Sequence, residues 1–143
     1  MSVKSIIIFI VQIFCCVYIV LSGDIIPEKV YIVLLIAAGL IIGIWAMAEH
    51  KMKFNVLPEL LEGSKLITSG PYRIVRHPIY TAVLMIIGGY VINTPSLVNI
   101  ILYLILIIDL IIKLKYEEKL LLKRFIDYND YMKKTKALIP YLY

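Results

Sequence analysis

The chain has 143 residues, of which 62% are hydrophobic, and its formal net charge is +5. A mean hydropathy of +0.91 is too high for a water-soluble domain of this length, so the composition indicates a single-domain integral membrane protein. Most charges flank apolar segments, which favours contact with lipid headgroups and argues against nucleic-acid binding.

Four apolar segments, each predicted to form a membrane helix, follow one another along the chain. They are Ile6–Leu21, Val30–Ala48, Ile79–Ile92 and Leu97–Leu114. A signal peptide is the competing interpretation of the first segment, but the usual small-residue cleavage site is not evident after it. The third is short for a crossing, which takes about 20 helical residues, so the last two are predicted to form a hairpin that need not span the bilayer.

Small residues in the second segment predict close helix packing. Gly39 and Gly43 are four positions apart, a spacing that lets another helix approach closely.

The distribution of basic residues predicts the orientation. Lysines and arginines gather in the loop Glu49–Tyr80 and in the C-terminal tail, whereas the turns Ser22–Lys29 and Asn93–Ser96 contain only Lys29. The positive-inside rule then places both termini and the loop in the cytoplasm, in agreement with an even number of spans.

The segment after the fourth span has a one-faced apolar pattern. Leu121, Phe125, Tyr128 and Met132 recur at spacings of four, three and four residues, with basic residues on the other side. This pattern predicts an amphipathic helix within Tyr116–Lys136 that lies on the cytoplasmic membrane surface.

The stretch Gly70–Tyr80 is the most constrained polar part of the chain. Pro71 and Pro78 restrict its backbone, and Pro78 suits the first turn of the helix that follows. Arg76 and His77 are therefore expected at a helix N-terminus, where free N–H groups and the helix dipole favour an anionic ligand group.

The end of the fourth span contains ionisable residues that are costly in a membrane. Asp109, Lys113 and Glu117 are each four residues apart and share one helix face, and Glu118 adds a second carboxylate. A salt-bridged stripe that merely ends the helix is the alternative interpretation. His77 lacks partner ligands and Cys15 and Cys16 point in different directions, so no metal site is expected.

These motifs together resemble the isoprenylcysteine carboxyl methyltransferase and phospholipid methyltransferase superfamily. The resemblance rests on Ser64–Tyr72, on Arg76-His77-Pro78-Ile79-Tyr80, on Glu117-Glu118 and on the tail from Phe125 to Pro140, and it covers roughly residues 45 to 143. It implies an all-helical membrane enzyme that uses S-adenosylmethionine.

The resemblance also implies roles for particular residues. Glu117 matches the cofactor-binding glutamate, and Lys113 falls where isoprenylcysteine enzymes place an arginine near the substrate carboxylate. Lysine lacks the planar, bidentate guanidinium of arginine. This difference counts against a prenylcysteine substrate and does not affect the cofactor. The implied cofactor pocket also includes Lys65, Leu66, Ile67, Tyr72, His77, Pro78 and Tyr80.

The residue types suit a methyl donor with a sulfonium, an ammonium and a carboxylate. Arg76 and His77 suit the carboxylate, Glu117 suits the ammonium, and a tyrosine, Tyr72 or Tyr80, suits the sulfonium through a cation–π contact. A carboxylate or thiolate acceptor needs no general base, whereas a lipid amine needs one, for which Glu118 is the candidate catalytic residue.

The expected function is therefore methyl transfer to a membrane-embedded acceptor, a prenylcysteine-like carboxylate or a lipid amine. Two alternatives stay open: a non-catalytic membrane subunit that binds lipid or a partner helix, and a related membrane reductase with a nicotinamide cofactor. The glutamate pair and the lack of an evident basic cluster for a 2′-phosphate favour the methyltransferase.

Overall fold

A computed structural model describes residues 3–49 and 66–140, apart from the side chain of Lys4. The described residues form five helices, which run α1 Val3–Leu21, α2 Val30–Glu49, α3 Pro78–Asn93, α4 Leu97–Arg124 and α5 Tyr128–Lys134. A 3₁₀ turn, Gly70–Arg73, precedes α3, and a single parallel bridge joins Val75 to Lys136. Within these ranges there is no strand, so the predicted all-helical class is confirmed.

Two of the helices are long and apolar enough to cross a bilayer. They are α2, with 20 residues, and α4, with 28 residues, whereas α1 and α3 are shorter apolar helices. Many large apolar side chains on α1, α2 and α4 face outward, which suits a protein whose surroundings are lipid. Whether α1 and α3 also cross the membrane stays a prediction.

The helices pack in two main pairs, α2 against α3 and α1 against α4, and α3 also contacts α1 and α4. The close approach of α2 and α3 requires glycine, because a Cβ at Gly39 would lie 2.9 Å from Ile86 Cγ1 and 3.1 Å from Ala82 O. The packing role predicted for Gly39 and Gly43 is thus confirmed, with Ala82 facing both glycines.

The tail differs from the predicted amphipathic helix. Helix α4 continues as far as Arg124, Phe125 then takes an extended backbone conformation, and only the short α5 follows. After α5 the chain folds back along the loop before α3, where Arg76 N donates to Lys136 O at 2.8 Å and His77 N donates to Ala137 O at 3.0 Å. Residues 116–136 therefore do not form one continuous helix, because the segment is divided between the end of α4 and α5.

The bundle has two ends with different polar structure. At the end where α4 begins, here the far end (residues 22–29 and 93–99), uncharged groups pair with one another. At the other end, here the site end (residues 69–81 and 113–140), the loop before α3, the last turns of α4 and the folded-back tail meet.

Candidate functional site

The loop before α3 is held to the end of α2. Gly70 has a φ of +55°, a left-handed conformation that favours glycine, and a Cβ there would collide with the Glu49 side chain. Ser69 Oγ donates to the Glu49 carboxylate, and Tyr72 N donates to Ser69 O at 3.1 Å. This anchoring presents the residues that follow to the last turns of α4.

The backbone donors around the start of α3 are largely engaged within the protein. His77 N pairs with Ala137 O, while Tyr80 N and Thr81 N return to His77 O at 3.0 and 3.1 Å. Pro78 has no N–H at all. The expected backbone site for an anion at this N-terminus is therefore mostly filled by the tail and by the first turn itself, and any ligand contact falls to side chains.

The His77 ring lies between the two glutamates of α4. Nδ1 is 3.7 Å from Glu117 Oε2 and Nε2 is 3.4 Å from Glu118 Oε1, and the imidazole is only 7% exposed. Nε2 makes no hydrogen bond within residues 3–49 and 66–140. A buried imidazole nitrogen without a hydrogen bond is costly, so it is well suited to a ligand or to a proton.

Glu117 and Glu118 have different partners. Tyr80 OH donates to Glu117 Oε1 at 2.5 Å, and the Tyr80 ring stacks on His77 with centroids 5.3 Å apart. Glu118 Oε1 instead accepts from Arg76 Nε at 2.7 Å. Neighbouring helix positions diverge by about 100°, yet the length of the glutamate side chain lets Glu118 reach His77 as well.

Arg76 connects the site to the tail. Besides its pair with Glu118, its Nη1 donates to Met132 O at 3.3 Å and to Thr135 O. The guanidinium is mostly buried, and its Nε and Nη1 are both occupied. In this arrangement Arg76 holds the tail against α4, which competes with its predicted role as a ligand for the cofactor carboxylate.

Together these side chains form one group, here the His77 cluster: Arg76, His77, Tyr80, Glu117 and Glu118. A further polar group extends from the His77 cluster toward the middle of the bundle. Lys113 is 2% exposed, its Nζ lies 5.1 Å from the centroid of the Tyr80 ring, and it donates to Gln12 Oε1 of α1 at 3.2 Å. One turn deeper, Asp109 is buried and its Oδ2 has no hydrogen-bond partner among the described residues. The cation at Tyr80 in this structure is thus Lys113.

The remaining predicted site residues are less central. Lys65 lies outside the described residues, and Leu66 and Ile67 form a half-buried irregular segment. Pro78 and Tyr72 are buried, and Tyr72 O accepts from Tyr131 OH at 2.6 Å.

Gln12 and Tyr131 were not predicted from the sequence. Gln12 does carry a signal, because it is the one amide side chain in the apolar helix α1. The backbone carbonyls of Met132 and Thr135, which accept from Arg76, have no signal in the sequence.

Three tyrosines of the site end stay neutral donors over the working range of pH. Burial raises the pKa of Tyr131 to about 12, and it also raises the pKa values of Tyr72 and Tyr128. Tyr128 is 1% exposed and its hydroxyl has no hydrogen-bond partner in the described part of the chain. The tail therefore adds a buried phenol beside the charged groups.

The fold and the cluster define a helical membrane protein in which buried ionisable side chains gather at one end of the bundle. A family model described as phospholipid methyltransferase matches residues 29–127, which is about two thirds of the chain. The chain belongs to the phospholipid methyltransferase family. The match includes His77, Glu117 and Glu118 and leaves out α1, with Gln12, and α5. No curated protein and no solved structure matches the chain.

Proposed function

We propose that this protein transfers a methyl group from S-adenosylmethionine to the amine of a phospholipid headgroup. The observation that carries the proposal is the position of His77 between Glu117 and Glu118, where two motifs separated along the chain meet. Membership in a methyltransferase family supports this reading over a nicotinamide-dependent reductase.

The residues of the cluster fit the proposed cofactor. S-adenosylmethionine supplies an electrophilic methyl group on its sulfonium, and its net positive charge suits a pocket that contains two carboxylates. Glu117, held by Tyr80 OH, is the proposed partner of the ammonium. His77, whose Nε2 makes no hydrogen bond among the described residues, is the proposed donor to the carboxylate in place of the engaged backbone. Tyr72 and Leu66 to Ile67 are proposed to line the remainder.

The acceptor amine must lose a proton before it can act as a nucleophile. Glu118 was the predicted base, but it already accepts from Arg76. We therefore propose that His77 Nε2, 3.4 Å from Glu118 Oε1, receives the proton and that the carboxylate stabilises the imidazolium. Glu118 then acts through the imidazole, and Nε2, once it has received the proton, would donate that N–H to the cofactor carboxylate.

The acceptor is proposed to approach from the membrane side of the cluster. Lys113 and Gln12 form the polar limit of the site toward the bundle interior. An ammonium in this place attracts an anionic oxygen of the acceptor, which is the proposed role of Lys113. The proposal includes four membrane-embedded helices with the site end facing the cytoplasm, since most basic residues gather there.

The test uses the full chain in lipid nanodiscs with S-adenosylmethionine carrying a labelled methyl group. We expect label in the lipid when phosphatidylethanolamine is present and none with phosphatidylcholine alone. His77→Ala should lower the rate by about a hundredfold or more, the scale of a lost acid–base group. Lys119→Ala, an exposed change on α4, is the matched control and should keep the parent rate.

The outcomes separate the remaining alternatives. If the protein binds the cofactor but labels only a prenylcysteine analogue, the acceptor is a carboxylate and not a lipid amine. Failure of the parent to bind S-adenosylmethionine at all would contradict the methyltransferase and favour a non-catalytic membrane subunit.

A further inference from the structure

A cavity of about 570 Å³ opens beside the cluster, on the side of the tail. Three separate chain segments form its walls: the end of the 3₁₀ turn with the residues after it, the α4 turn from Leu114 to Glu118, and the tail from Met132 to Pro140. Only Arg76 and Glu118 belong both to this cavity and to the His77 cluster.

The cavity is strongly basic. Its lining has a single carboxylate, that of Glu118, and six cationic side chains, those of Arg73, Arg76, Lys115, Lys133, Lys134 and Lys136. Arg76 pairs with Glu118, and Lys133 pairs with Asp130 at 2.8 Å. Within residues 3–49 and 66–140 the other four cations have no ion-pair partner. A cationic cofactor is repelled by such a cavity, whereas an anion relieves the repulsion among its cations.

The fold, and not chance, brings these cations together. The tail is fastened to the loop before α3 by the Arg76 bonds, by the pairing of Arg76 N with Lys136 O, and by Thr81 Oγ1, which donates to Leu138 O at 2.7 Å. Lysines spread over a membrane surface would need none of these bonds. Four basic side chains around one cavity is the arrangement that binds phosphate groups.

An apolar track leads away from the cavity along α4. Ile108 and Ile112 precede Lys115 by seven and three residues, so they share its helix face, and both are exposed. A ligand with its phosphate among the lysines can lay an acyl chain along these residues. A zwitterionic headgroup has no net charge and cannot balance the positive charge of four unpaired cations.

We propose that the basic cavity bounded by Arg73, Lys115, Lys134 and Lys136 binds the phosphate of an anionic lipid headgroup. The lipid is not the methyl acceptor, and its chain lies along Ile108 and Ile112. Binding would fasten the tail, and with it Arg76 and Glu118, to the membrane. The site is independent of methyl transfer, so it is measured without any methyl donor.

The experiment counts lipid bound to the full chain in neutral detergent micelles by native mass spectrometry. Three probes are compared at constant ionic strength: phosphatidylglycerol, phosphatidylcholine and inorganic phosphate. We expect phosphatidylglycerol to bind at least tenfold more tightly than phosphatidylcholine, and inorganic phosphate to compete weakly. Binding of inorganic phosphate as tight as that of phosphatidylglycerol would overturn the assignment of the ligand as a lipid.

Two double variants distinguish lipid binding in the cavity from lipid binding to general surface charge. Lys134→Gln with Lys136→Gln should weaken phosphatidylglycerol binding by about thirtyfold, from two headgroup-facing lysines. Lys119→Gln with Lys123→Gln removes the same charge from exposed positions of α4 outside the cavity and should change it less than about threefold. Lys115→Gln, on a different segment, should also weaken binding. Equal losses in the two double variants would overturn the proposal.

Discussion

The two ends of the helix bundle both contain polar side chains, but they differ in the charge of the buried ones and in how completely those are paired. At the far end, Asn99 is 1% exposed, accepts from Ser22 Oγ at 3.0 Å and donates to Thr94 O at 2.8 Å. Asn93 Nδ2 donates to Asp24 O, and Tyr90 OH donates to Ile25 O. These groups are neutral, and each has found its partner within the protein.

At the site end the buried polar groups include charged side chains, and some polar atoms lack a hydrogen bond. His77 Nε2 and Tyr128 OH are both buried and make no hydrogen bond within the described residues. A satisfied neutral network stabilises a turn, whereas buried charges with open positions lower stability unless a ligand completes them. The difference is consistent with a structural far end and with the binding site proposed for the site end.

The largest expected effect separates the two glutamates. Glu117→Gln should raise the dissociation constant of S-adenosylmethionine by about ten- to a hundredfold, because a charge-assisted hydrogen bond is worth roughly 1.5–3 kcal/mol. Glu118→Gln should change it only a few-fold, since Glu118 pairs with Arg76. Calorimetry on the two purified variants measures both constants, and equal small effects would remove Glu117 from the site.

The second-largest expected effect is on the stability that the far end contributes. Asn99→Ala leaves Thr94 O without its donor and leaves Ser22 Oγ with Ile19 O as its acceptor, and it should lower the free energy of unfolding by about 1–3 kcal/mol. The affinity for S-adenosylmethionine should stay that of the parent. Denaturant titration in detergent and calorimetry measure the two quantities. A loss of affinity as large as that of Glu117→Gln would erase the distinction between the ends.

A smaller effect tests the attachment of the tail. Arg76→Lys cannot reproduce the bonds to Glu118, Met132 O and Thr135 O together, so the tail should open more often. Trypsin should then cleave after Lys134 and Lys136 about tenfold faster, because cleavage follows the open population. Arg73→Lys, an exposed change in the same loop that keeps the charge, is the control in lipid-free detergent and should cleave at the parent rate.

The smallest effect concerns Tyr131. Tyr131→Phe removes the bond to Tyr72 O and should cost about 0.5–1.5 kcal/mol at neutral pH. Because burial raises the pKa of Tyr131 from its ordinary 10.0 to about 12, its neutral form is favoured in the folded state. Its contribution is present below pH 10 and is lost as the pH rises through 12. Tyrosinate absorbance should lose one late-titrating phenol in the variant, and an unchanged titration would contradict the shift.

Much of this architecture can be predicted from local pattern. Apolar runs bounded by turns predicted the helices closely, as for α2, expected to end at Ala48 and observed to end at Glu49. The motifs containing His77 and Glu117 were expected to converge because a hairpin joins them, and the structure brings them within 3.7 Å. The four-span topology and its orientation stay predictions.

Tertiary contacts explain what local pattern missed. A helix that continues out of the membrane and one that lies on its surface share the same period, so the extension of α4 to Arg124 was not distinguished. The break at Phe125 has no Gly or Pro to mark it. Backbone carbonyls of the tail bind Arg76 whatever their side chains, so the sequence has no signal for that contact.

The most direct test of the central claim is a double-mutant cycle on S-adenosylmethionine affinity with His77→Ala, Glu117→Ala and the double variant. If His77 and Glu117 form one binding site, the two losses should not add, and the coupling should be at least about 1 kcal/mol, or roughly fivefold. Calorimetry on the folded proteins in detergent gives the four constants. Losses that add within error, or single variants that bind as tightly as the parent, would contradict a shared cofactor site at this end of the bundle.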